Sequence, residues 1–124
     1  MSSDGRGKTV AFDLDGVLAH YSGFAGAQDE KEPNAEVVAA IRTLKDMGYR
    51  ILIHSTRGEQ FLTSYCEKHS IPFDYINRRP DKEGENPGKP IAFVYVDDRA
   101  ICYKGQSSDD LVSEIENFKP WWKE

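Results

Sequence analysis

The chain has 124 residues, with 16 Lys and Arg against 21 Asp and Glu, a formal net charge of −5. Hydrophobic residues make up 39% and charged residues 30%, the composition of one globular domain, which excludes a disordered or fibrous chain. The negative balance gives no overall field toward nucleic acid or an anionic membrane. The longest apolar run, Ile91 to Val96, is far shorter than the roughly 18 residues a bilayer requires.

Residues 1–7 are polar and Gly-rich, without the apolar centre of a signal peptide, and are expected to form a loose tail ahead of a core at 8–124. Thr9-Val10-Ala11-Phe12 leads into Asp13 and predicts a buried strand over 8–13. Residues 16–32 show no period and carry three glycines; they predict a loop, with a flap at about 17–32. Pro33-Asn34 opens a helix in which Val37, Val38, Ile41, Leu44 and Met47 recur at three and four, and Gly48 stops it. Tyr49 to His54 predicts a second strand, whose unbroken Ile51-Leu52-Ile53 suits a parallel sheet covered on both faces.

A second helix is expected from about Gly58 to His69, then a short strand from Phe73 to Ile76. Residues 77–90 form a long polar loop. Ile91 to Val96 is the strongest strand signal and ends at Asp97-Asp98; Ile101 to Tyr103 suggests a short edge strand. Leu111, Val112, Ile115 and Phe118 mark a last helix, stopped by Pro120. The two cysteines, Cys66 and Cys102, lack disulfide or metal spacing and read as free, buried thiols of a cytoplasmic protein.

Strands alternating with helices predict a single doubly wound, Rossmann-like α/β domain with a mainly parallel sheet. Ligands in such a sheet sit at the carboxyl ends of the strands. Asp13 and Asp15 end the first strand, Ser55 the second, and Asp97 and Asp98 the fourth, so three strands deliver polar groups to one rim. Like charges that close repel unless a proton or cation lies between them, and carboxylates suit Mg²⁺. Taken alone, Asp13-Leu14-Asp15 is equally consistent with a capped turn.

Asp13-Leu14-Asp15-Gly16-Val17 resembles the first motif of the haloacid dehalogenase-like (HAD) phosphatase superfamily. Ser55-Thr56-Arg57 resembles the second motif, Lys89 in Gly88-Lys89-Pro90 the third, and Asp97-Asp98 in Val96-Asp97-Asp98-Arg99-Ala100 the fourth. The motifs stand in the family's order, from about Thr9 to Phe118. The last two strings also resemble bacterial and phage HAD proteins of the capsule-biosynthesis type.

The resemblance implies a Mg²⁺-dependent phosphomonoester hydrolase working through an aspartyl-phosphate. Asp13 is then the nucleophile, and Asp15 the general acid and base whose backbone carbonyl also faces the metal. Ser55, with Thr56 as the alternative hydroxyl, binds phosphoryl oxygens, helped by Arg57 and the following helix start. Lys89, with Lys82 as competitor, offsets negative charge. Asp98 is the first choice as metal ligand beside Asp13 and Asp15, with Asp97 holding Lys89 or a metal-bound water, or the two reversed. A phosphotransferase would use the same residues, and a non-catalytic module of this fold would have lost them.

Neither gap between motifs holds a folded cap. In the family an open site goes with a phosphorylated macromolecule or with a cap supplied by an oligomer; a small phosphomonoester is the other option, and nucleic acid enters only as substrate. His20 and Tyr21 read as flap surface, His54 as a packed strand-end residue, Arg99 as a brace for the acidic pair, and Arg78 and Arg79 as solvated charge. Arg57 is balanced between contacting phosphate and pinning the flap. Trp121 and Trp122 carry no assignment from sequence.

Overall fold

The computed structural model describes residues 7–21, 23, 26, 30–79 and 89–123. Lys82, the tail before residue 7 and most of the 77–90 loop lie outside them. Four strands form one parallel sheet: β1 (Thr9–Asp13), β2 (Arg50–His54), β3 (Tyr75–Ile76) and β4 (Val94–Val96), in the order β3-β2-β1-β4. Three helices accompany them: α1 (Ala35–Asp46), α2 (Glu59–Lys68) and α3 (Ser108–Glu116). This is a single small Rossmann-like α/β domain, with no cap among the described residues. No helix among the described residues is long and apolar enough to cross a membrane.

The chain reverses its strand order between β1 and β4, since β2 and β3 build outward on one side and β4 on the other. That switch point is where an open α/β sheet leaves a crevice beyond its strand ends. Register fixes what meets there. Asp13 pairs with His54, and Phe12 pairs with Val96, so the next residue along each strand puts Asp13 beside Asp97.

Burial holds this centre in place. Ile51, Leu52 and Ile53 are wholly inaccessible, with Val10, Ala11 and Phe12 beside them. Each such large aliphatic side chain contributes about 1.5–3 kcal/mol relative to exposure. Asn34 caps α1 by accepting from Glu36 N–H, and Val38 and Ile41 bury its inner side. On α2, Leu62, Tyr65 and Cys66 do the same.

Five expectations need correction. Leu14, Val17, Leu18 and Ala19 are buried, so the flap does not begin at 17. Leu18 carbonyl accepts from Asn34 N–H and His20 N–H donates to Glu32, tying this stretch to the start of α1. Ile101 to Tyr103 makes no strand. Cys102 is exposed, unlike Cys66. Arg79 is buried rather than solvated, donating to Thr9 Oγ1 at 2.8 Å with its guanidinium over the Tyr75 ring. The covering of both sheet faces holds for β1 and β2 but not for β4, whose three residues are exposed, and α3 buries none of its side chains.

Candidate active site at the strand ends

Asp13, His54, Ser55, Thr56, Asn77, Pro90, Asp97 and Arg99 line a cavity of about 290 Å³ beyond the ends of β1, β2 and β4. Asp13, Asp97 and Asp98 each present a carboxylate oxygen within 4.8 Å of the others. Asp13 Oδ1 accepts from Leu14 N–H at 2.9 Å, which aims the side chain at the turn that follows. Burial pushes the Asp13 carboxyl up to about 8, helped by contact with Asp98 and by the charges of Asp97 and Asp98. Asp98 Oδ1 is buried and has no hydrogen-bond partner.

These observations test the fit to a cation. A buried carboxylate oxygen without a donor is costly, and so is ionising three acids together. A hard divalent ion with oxygen ligands relieves both. The donor set of Asp13, Asp97 and Asp98 therefore fits Mg²⁺. The Asp15 side chain is not part of it: Arg57 holds that carboxylate with Nε at 2.8 Å and Nη2 at 3.1 Å. Arg57 thereby settles on the turn after β1 and also lies over the Phe61 ring.

On the β2 side, Ser55 Oγ accepts from Arg57 N–H at 3.1 Å, and Ser55 N–H donates to Asn77 Oδ1 at 3.1 Å. The α2 N-cap is Gly58, so Ser55 closes the turn ahead of the helix instead of capping it. Asn77 was not legible from sequence. It adopts φ 65°, a left-handed conformation that Asn tolerates, and joins β3 to the motif serine. The only sequence signal was an Asn directly after a strand.

Lys89 is not brought against Asp13. It lines a neighbouring cavity with His54, Pro90, Tyr95 and Asp97, its ammonium 5.3 Å from the Tyr95 ring centre. Arg99 does not brace the acidic pair through its side chain: its backbone N–H donates to Asp97 Oδ1, and its guanidinium lies over Trp122. His54 is packed at the end of β2 and also faces the cavities. It lines both cavities, burial lowers its pKa, and its Nε2 is buried without a partner.

Gly16 sits where no side chain fits. Its φ is +88°, and a Cβ there would fall 2.8 Å from Asp98 Cγ and 2.8 Å from Trp122 Nε1. Gly16→Ala should cost about 2–4 kcal/mol, adding backbone strain to overpacking. Urea denaturation measures it, and a loss below about 0.5 kcal/mol would contradict the close approach.

No protein-family model matches the chain, and no curated protein matches it. Among solved structures, a conserved protein from Bacteroides thetaiotaomicron is similar, at 20% identity and a TM-score of 0.62, over 88% of each chain. A structural-genomics target from Vibrio cholerae shares 21% identity at a TM-score of 0.49, over 88% of this chain and 97% of that one. The first similarity supports the α/β fold.

Proposed function

We propose that this protein is a Mg²⁺-dependent phosphomonoester hydrolase of the HAD kind, with Asp13 as nucleophile and an open site. The observation that carries the reading is the meeting of Asp13 with Asp97 and Asp98 at the sheet's switch point, across one cavity from Ser55 and Thr56. Asp13, Asp97 and Asp98 are the side chains that would hold the ion, with the Asp15 carbonyl as a further ligand. Bound Mg²⁺ supplies the charge neutralisation that lets a carboxylate approach an anionic phosphate.

In this proposal the Asp13 carboxylate bonds to phosphorus as the bond to the leaving alcohol breaks. Asp15 gives that alcohol its proton, then takes one from the water that cleaves the aspartyl-phosphate, releasing inorganic phosphate. For either transfer Asp15 must first leave Arg57. The Ser55 and Thr56 hydroxyls hold the phosphoryl oxygens, while the Ser55 and Arg57 N–H groups shape the turn that presents them. Lys89 acts on the site through its field, from the far side of Asp97.

Hydrolysis of a generic aryl phosphate, with Mg²⁺ and with EDTA, tests this. Turnover that EDTA abolishes and Mg²⁺ restores is the expected result. Turnover indifferent to EDTA would sink the metal reading. Phosphate appearing on an added alcohol in preference to water would make the protein a transferase. A parallel panel of sugar phosphates, nucleotides and phosphorylated oligonucleotides ranks small against polymeric substrates.

A further inference from the structure

We propose that Trp122 is a positioning residue of this site, holding one oxygen of Asp98 so that the other is presented to the cation. The inference rests on the metal-binding reading above. Trp122 Nε1–H donates to Asp98 Oδ2 at 2.5 Å. The remaining oxygen, Oδ1, is the buried and unpartnered one. An indole has a single donor and no acceptor, so it fixes one carboxylate oxygen and leaves the second with no competing bond. A ligand held this way approaches its metal in one orientation, as carboxylates in metal sites commonly are by their neighbours.

The indole itself is fixed from several sides. Tyr21 meets it edge-on, with ring centres 4.9 Å apart, and the Arg99 guanidinium lies 5.3 Å from its ring. The adjacent Trp121 donates from Nε1 to the Gly16 carbonyl at 2.7 Å. Two consecutive tryptophans thus bond to the turn after β1 and to the turn after β4. Gly16 is what allows the approach, since a Cβ there would collide with both Asp98 and Trp122. The segment after α3 is thereby bonded to both turns that carry the acids.

The test measures Mn²⁺ affinity by the electron paramagnetic resonance of free Mn²⁺, in the wild type, Trp122→Phe, Trp121→Phe and Asp98→Asn. Trp122→Phe keeps an aromatic ring, smaller than the indole, and removes the donor. It should weaken Mn²⁺ about tenfold, the lower end for loss of a partner to a ligating carboxylate. In the Asp98→Asn background the same change should have no further effect. An anchoring role alone would lower thermal stability and leave the Mn²⁺ affinity unchanged, and that result overturns the proposal. A wild type that binds no Mn²⁺ overturns the metal reading itself, and the positioning role with it.

If Trp122→Phe does not fold, the wild type supplies the readout by NMR. The Trp122 indole N–H resonance, told apart through Trp121→Phe, should move on addition of Mg²⁺ by several times the shift at Trp121. An unmoved Trp122 resonance at saturating Mg²⁺ overturns the inference.

Discussion

Asp13→Asn should abolish phosphate turnover and at the same time make the metal-free protein more stable. Removal of a nucleophile that forms the covalent intermediate costs on the order of 10⁴-fold or more in kcat. The amide keeps the shape of the carboxylate, and its oxygen can still accept from Leu14 N–H, the one bond that aims the side chain. What it removes is a charge facing Asp97 and Asp98 in a half-buried position. Near pH 8 that should stabilise the metal-free fold by about 1–3 kcal/mol, seen as a rise of several degrees in Tm. Calorimetry in EDTA, alongside an assay on aryl phosphate, checks both halves. Retained turnover would remove Asp13 as nucleophile; an unchanged or lowered Tm would mean that the three acids do not repel.

Thermal stability without metal should fall as pH rises from 6.5 to 8, and Mg²⁺ should cancel that fall. In the folded chain Asp13 is raised from 3.8 to about 8, so the folded state keeps a proton that the unfolded state gives up. Stability from such a group is complete below pH 3.8, drains away as pH rises, and is gone above about 8. His54 acts oppositely, because burial lowers its pKa from 6.5: the unfolded chain takes up the proton first, so stability rises with pH until about 6.5. Above that pH only the Asp13 effect remains, which makes 6.5–8 the informative window. Across it the loss should amount to about 1–2 kcal/mol, at 1.36 kcal/mol per pH unit for one proton. Tm values at pH 6.5 and 8, with EDTA and with Mg²⁺, measure it. A flat profile in EDTA, or equal Mg²⁺ stabilisation at both pH values, would contradict the coupling of the three acids.

Much of the fold was legible because alternation of apolar runs and amphipathic stretches depends on local sequence. Ile51-Leu52-Ile53 announced a strand buried on both faces, and it is one. The strand-end rule places Asp13, Asp15, Ser55, Asp97 and Asp98 on one rim from sequence alone. Periodicity reports which side of an element is apolar, but not whether a partner covers it. β4 and α3 carry such apolar patterns and nevertheless lie exposed. The same limit hid Val17, Leu18 and Ala19, whose burial depends on contacts with the start of α1 rather than on any repeat of their own.

The partners in pairings across long stretches of chain were not legible, although Arg57 pinning the flap was one of its two readings. Arg57 reaches Asp15 across 42 positions, Asn77 reaches Ser55 across 22, and Trp122 reaches Asp98 across 24. Nothing in a residue's neighbours encodes such a partner. Each of these three links changes the chemistry: one parks the proposed acid, one sets the phosphate-facing turn, and one orients a proposed ligand.

The site straddles a boundary in local stability. Asp13 stands at the end of a strand paired on both sides, while Asp97 and Asp98 follow a strand paired on one side and exposed along its length. Segments with few buried apolar contacts open at a small fraction of the global unfolding cost. Amides of β4 should therefore exchange with solvent well before those of β1 and β2. An ion held jointly by Asp13 and the acidic pair would clamp that edge to the centre of the sheet and slow its exchange selectively. Such an ion would then act as a rivet for this exposed edge of the sheet, and its departure would loosen the edge without unfolding the domain.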